Sequence, residues 1–198
     1  MTNPGSGKCA EGISRVLIDE RTLQRRVREL ARGIQAFYGD RQPLLVGVLT
    51  GAFVFMADLA REMKIPLRID FIAVSSYGNA TTSSGVVRIM KDLDRAAEGE
   101  SILIVEDIID SGRTLQYLIE LLQQRNPADI RIVALLKKRK PDAIRVPVDW
   151  VGFEIPDEFV VGYGLDAAEM YRNLPFIAVP DLEHPVNRGV GDGTNGLL

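Results

Sequence analysis

The chain has 198 residues, 46% hydrophobic and 26% charged, which suits one soluble domain with a sizeable core. A net charge of −3 and a pI near 5.3 leave no electrostatic footprint for nucleic acid, and no apolar run approaches membrane-spanning length. The single Cys9 excludes an internal disulfide or a cysteine metal cluster and fits a reducing cytosol, while the only histidine, His184, lies in a polar tail and leaves proton transfer to carboxylates or lysine.

Residues 1–12, MTNPGSGKCAEG, are small and polar, lack a signal-peptide core, and read as a disordered tail. From Asp19 onward, Leu23, Val27, Leu30, Ile34 and Phe37 fall at helical spacing, with Asp19 as N-cap and Gly39 as stop. Arg25, Arg26, Arg28 and Arg32 lie between them and read as a solvated basic face or a subunit contact. Pro43 opens an apolar run, Leu44 to Leu49, followed by Thr50-Gly51-Ala52 and a helix from about Phe53 to Met63. A third strand runs from Leu67 to Ser75. The polar loop Ser76 to Gly85 follows, and Val86 to Met90 resumes a strand pattern. A polar loop of that length is usually functional or disordered.

The stretch Ser101 to Arg125 organises the rest. Ile102-Leu103-Ile104-Val105 is apolar enough for a strand buried on both faces, and Leu115, Leu118, Ile119 and Leu122 mark a helix. Between them Glu106, Asp107 and Asp110 place three carboxylates within five positions, ahead of Ser111-Gly112-Arg113-Thr114. A strand, an acidic glycine-containing turn and a helix make a binding site at the carboxyl end of a strand in an α/β sheet. Backbone N–H groups from Asp110 to Thr114, at a helix start, suit a phosphate dianion, and Ser111 and Thr114 add hydroxyl donors. The carboxylates would repel that phosphate, so they face a sugar diol, a divalent cation or a proton to be moved. A nucleotide P-loop does not fit. Asp107 stands where the first glycine of G-x-x-x-x-G-K-[ST] belongs, and Arg113 where its lysine belongs.

Further along, Ile130 to Leu136 reads as a buried strand ending in Lys137-Lys138-Arg139-Lys140, at the same carboxyl edge as the acidic turn. Asp149 to Ile155 and Glu158 to Gly164 follow, then a short last strand from Phe176 to Val179, and residues 183–198 return to glycine-rich disorder. One domain over 13–182 is expected, α/β and doubly wound, with a mainly parallel sheet of about five strands.

The string VEDIIDSGRT resembles the phosphoribosyl-pyrophosphate motif of the type I phosphoribosyltransferases, and with VDWVGFEIPDEFVVGYGLD the chain resembles the hypoxanthine-guanine branch over roughly residues 13 to 182. The resemblance implies Mg²⁺-dependent transfer of phosphoribosyl to N9 of hypoxanthine or guanine, and a small hood over the base. It implies Glu106 and Asp107 at the ribose and metal, and Asp110 as catalytic base. Asp110, Ser111, Gly112, Arg113 and Thr114 would hold the 5′-phosphate. Thr50, Gly51 and Arg172 would meet the pyrophosphate, around a cis peptide at Leu49-Thr50. Lys138, Phe159 and Val160 would bind the purine, and Asp166, at the purine segment, would join Glu106 and Asp107 in metal binding. Ser76 and Tyr77 would begin a mobile lid, and the assembly would be a homodimer or homotetramer. The chain departs from the family's pattern at Thr50, where members often carry Lys or Arg, and at Ala52, where they carry a second glycine or serine. Two other readings stay open: a xanthine-preferring sister enzyme, and a nucleotide-sensing RNA-binding regulator on the same fold.

Overall fold

The computed structural model describes residues 12–76 and 87–181. The expected tails and most of the expected lid, including Tyr77, lie outside the described residues. Eight strands and three helices follow in chain order among the described residues: β1 (Ile13–Ile18), α1 (Glu20–Tyr38), β2 (Leu44–Leu49), α2 (Phe53–Glu62), β3 (Arg68–Ser76), β4 (Val87–Lys91), β5 (Ser101–Ile109), α3 (Arg113–Gln123), β6 (Asp129–Lys138), β7 (Trp150–Ile155) and β8 (Ile177–Pro180).

Six strands form one sheet in the order β4-β3-β2-β5-β6-β7, parallel throughout except for β4, which runs antiparallel to β3. The apolar runs are two-faced because both sides of this sheet are covered. Leu45, Leu103, Val105, Val133 and Leu135 pack with α1 and α2. Their sequence neighbours Leu44, Val46, Ile102, Ile104, Ile132 and Ala134 pack with α3. Helices on both faces of a parallel sheet make the doubly wound class, and β2 and β5 in the middle send their carboxyl ends to the same edge.

Local signals explain the helices. The Asp19 carboxylate accepts from the Thr22 backbone N–H at 2.9 Å and caps α1, and Gly39, at φ 58°, ends it. Phe37 was expected inside, yet it is 38% exposed, and Tyr38 at 2% takes the buried place. The last turn meets the sheet edge, where Phe37 lies edge-on to Trp150 under the Arg131 guanidinium. Helix α3 has no side-chain N-cap. With Gly112 as the capping residue that omission costs only about 0.3 kcal/mol, whereas burying Leu115, Leu118 and Leu122 contributes roughly 1.5–3 kcal/mol each. Packing wins, which leaves the start of α3 open for another purpose.

The strand expected to end at Leu136 continues to Lys138, because β7 pairs with it there, Lys137 opposite Glu154 and Lys138 opposite Ile155. Residues 158–164 form no strand; Val161 makes an isolated bridge to Ala178. β1 and β8 pair antiparallel as a separate two-stranded sheet, the expected hood from terminal segments.

Candidate active site

The carboxyl ends of β2 and β5, the acidic turn, the end of β6 and the segment after β7 enclose a cavity of about 360 Å³. Thr50, Gly51, Glu106, Asp107, Asp110, Thr114, Lys138, Phe159, Val160, Asp166 and Arg172 all line it. A smaller cavity of about 80 Å³ adjoins it, wrapped by Glu106, Asp110, Ser111, Gly112 and Thr114. Glycine is needed at the start of α3: Gly112 has φ 79°, and a Cβ there would sit 2.7 Å from the Ile144 carbonyl oxygen.

The floor is acidic, with Glu106 buried and Asp107 partly so. Glu106 is 7% exposed, and its Oε2 has no hydrogen-bond partner among the described residues. Burial, reinforced by the charge of Asp107, pushes the Glu106 carboxyl well above its ordinary range. Asp107 is pushed up to about 6, again mainly by burial, with the Ile108 and Asp107 N–H groups and Arg172 opposing the rise. An unpaired buried carboxylate is costly, so such a pair calls for hydroxyl donors or a cation. Among the described residues no three His, Cys, Asp or Glu side chains are grouped to hold a metal between them. Asp166, expected to join Glu106 and Asp107, is ion-paired to Arg172 at 2.7 Å, and its charge adds to the rise of Asp107.

Opposite the floor, the loop after β2 carries a cis peptide at Leu49-Thr50. A Cβ on Gly51 would lie 1.5 Å from Asp107 Oδ2, so only glycine lets this loop cross the acidic pair so closely. Arg172 donates to the Gly164 carbonyl at 2.7 Å and sits with Asp166 at the same end of the cavity.

On the remaining side, Asp110 accepts from Lys138 Nζ at 3.0 Å and is ion-paired to Lys140. Partial burial alone would raise the Asp110 carboxyl, but the ammonium groups of Lys140 and Lys138 outweigh it and hold the group below the ordinary range. Phe159 is 49% exposed and presents its ring to the cavity. An aromatic face beside a lysine and a carboxylate suits a planar heterocycle with a carbonyl and an N–H.

Residues 17–168 match the phosphoribosyl transferase domain family. The chain is 54% identical over 167 residues to the hypoxanthine-guanine phosphoribosyltransferase of Bacillus subtilis, covering 84% of this chain and 93% of that protein. The chain belongs to the hypoxanthine-guanine phosphoribosyltransferase family. A crystal structure of a hypoxanthine phosphoribosyltransferase from Staphylococcus aureus superposes with a TM-score of 0.83 at 42% identity, over 87% of this chain and 94% of that one. The bifunctional protein TilS/HprT of Listeria innocua is 51% identical over 175 residues, and there the match spans 88% of this chain but only 27% of the longer protein.

Most of the family-motif residues expected at the site meet around the two cavities. Arg113 does not; it is the first residue of α3 and lines neither cavity. Ser76 ends β3. Lys140 and Asp157, which close a ring of ion pairs around Asp110 and Lys138, went unforeseen. Lys140 had shown only as the end of a basic run. Asp157 lies 17 positions later in a segment read for its aromatic residue.

Proposed function

We propose that this chain transfers phosphoribosyl from phosphoribosyl pyrophosphate to N9 of hypoxanthine or guanine, giving the nucleoside monophosphate and pyrophosphate. One observation carries the reading. A single cavity brings buried carboxylates, a glycine loop with an arginine, and a lysine–aspartate–phenylalanine wall together beside a helix-start cradle.

The cradle from Asp110 to Thr114 anchors the 5′-phosphate, which fixes the reacting carbon relative to the base. Glu106 and Asp107 accept from the ribose hydroxyls. Their hard oxygens, one of them without a partner, also fit Mg²⁺ held jointly with the sugar, and Asp166 would hold one from the pyrophosphate end. When bound, the metal supplies positive charge for the leaving group. Arg172 adds to it. Phe159 stacks on the base, Val160 borders its edge and Lys138 donates to the 6-oxo oxygen. In the transfer the N9–C1 bond forms and the C1–oxygen bond breaks, its electron pair leaving on pyrophosphate. The purine's N7 proton passes to the Asp110 carboxylate.

Ser76 and Tyr77 belong, in this reading, to a lid that excludes water from the activated ribose. A homodimer or homotetramer in the cytosol, with no nucleic-acid or membrane partner, completes the proposal. Among the described residues no helix is long and apolar enough to cross a membrane. The test is nucleotide formation by purified protein with Mg²⁺, phosphoribosyl pyrophosphate and each purine in turn. Product from hypoxanthine and guanine is expected. Product from xanthine alone, or from none, overturns the reading.

A further inference from the structure

The end of β6 brings more positive charge to the acidic turn than one purine carbonyl requires. Lys138 Nζ lies 3.0 Å from Asp110 and 3.3 Å from Asp157, and Lys140 bridges the same two carboxylates, 3.2 Å from Asp157. The two lysines approach from different sides. Lys138 and Asp110 line both the 360 Å³ cavity and a separate one of about 480 Å³, whereas Lys140 lines only the latter. Lys138 can therefore turn into the substrate cavity toward a carbonyl, and Lys140 stays behind the carboxylate.

That separation matters once substrates arrive. When Lys138 donates to the 6-oxo oxygen, Asp110 loses one of its cations. It then shares the site with Glu106, Asp107, Asp157 and a polyanionic sugar pyrophosphate, and like charges favour protonation of a carboxylate. A protonated Asp110 cannot accept the purine proton. The charged groups ion-paired around Asp110 are Lys138 on β6, Lys140 in the segment after it, and Asp157 after β7; Glu106 and Asp107 on β5 share its substrate-side cavity, and Lys137, Arg139, Arg145 and Glu154 line the 480 Å³ cavity with it. Arg113, at the start of α3, makes no ion pair with it.

We propose that Lys140 is a positioning residue for the transfer, keeping a positive charge on the Asp110 carboxylate after Lys138 turns to the base, with Asp157 holding Lys140 in reach. Lys140 touches no reacting atom. The inference rests on the phosphoribosyl-transfer reading and deepens it.

The test compares Lys140→Met and Lys140→Arg with the wild type in two measurements. The first is the pH profile of kcat/KM for hypoxanthine at saturating phosphoribosyl pyrophosphate. The Met variant should shift the acid limb upward by roughly one pH unit, the low end for loss of a neighbouring opposite charge, because the Asp110 side chain is 47% exposed. Activity at the alkaline end should approach wild type, and Arg should restore the limb. The second is the carboxyl titration of Asp110 by carbon NMR without substrate, which should move in the same direction. A fall in kcat/KM that is uniform with pH, or an unmoved acid limb in an active enzyme, overturns the role of Lys140. A wild type that forms no nucleotide while the Asp110 titration still moves overturns the reading beneath it instead.

Discussion

Asp107 and Asp110 sit three positions apart and are driven in opposite directions by their surroundings. Asp107 rises to about 6 because burial dominates, whereas two ammonium groups hold Asp110 down. A carboxyl raised on folding favours the native state below its unfolded value, and that contribution is lost as pH rises through the folded value. Between roughly pH 4 and 6 the folded chain binds the extra proton, so Asp107 should cost stability on the order of 3 kcal/mol above that window. Replacing it with Asn removes the titration. Unfolding free energies from denaturant titration should therefore shift in favour of Asp107→Asn by about 2 kcal/mol between pH 4.5 and 7.5; parallel pH profiles would mean that the carboxyl is not held as described. Asp110→Asn keeps size and backbone but cannot accept a proton. Single-turnover rates should fall by ~10²–10⁴ with phosphoribosyl pyrophosphate affinity little changed. Chemistry within about threefold of wild type would remove Asp110 as the base. Lys138→Gln should weaken use of hypoxanthine and guanine and relax discrimination against adenine, because a buried donor penalises the wrong partner. Unchanged kcat/KM for hypoxanthine would remove Lys138 from the site.

Elements are tied across the site by hydrogen bonds that no periodicity reveals. Asp58 on α2 accepts from Tyr163 Oη at 2.5 Å and from Gln24 on α1 at 2.9 Å, and also pairs with Arg61. Burial works against ionisation of Asp58, but Tyr163, Gln24 and Arg61 outweigh it and leave its carboxyl below the ordinary range. Helix α2 follows the loop after β2, and Tyr163 belongs to the segment after β7, so one carboxylate ties together two elements that border the cavity. Tyr163→Phe should cost about 1.5–3 kcal/mol, as for a hydrogen bond to a charged group. It should also raise KM for the purine more than for phosphoribosyl pyrophosphate; thermal unfolding and steady-state kinetics measure both, and an unchanged Tm would argue against the tie. These ties mark the boundary of what the chain showed before folding. α1 was legible because Asp19 and Gly39 are local signals, and β2 and β5 because a strand buried on both faces needs continuous apolar residues. The acidic turn was legible because its carboxylates, glycine and hydroxyls lie close together in the sequence. Lys140 with Asp157, and Asp58 with Tyr163, join residues 17 and 105 positions apart, and only the strand order decides that they meet. Tyr38 displaced Phe37 for a similar reason, since the sheet edge and not the helix period sets burial in the last turn.

At the scale of the whole molecule, the small roof formed by β1, β8 and the segment after β7 closes with pieces from both ends of the described chain. Ile13 lies opposite Pro180 and Ile18 opposite Ile177, Val161 exchanges paired 2.9 Å hydrogen bonds with Ala178, and Arg15 is ion-paired to Glu158. This arrangement has a mechanical consequence. Tension applied between Gly12 and Asp181 pulls the antiparallel pair apart from its shared end, so its bonds meet the load one after another. The six-stranded sheet lies behind that seam and feels little until it has opened. Stretched in an optical trap from those two positions, the protein should yield first in a short low-force step, followed by cooperative loss of the sheet. Hypoxanthine nucleotide should raise the force of the first step, since in the proposed function its base sits beneath Phe159 and Val160, and leave the second nearly unchanged. A single rupture, with or without nucleotide, would show that roof and sheet bear load as one body.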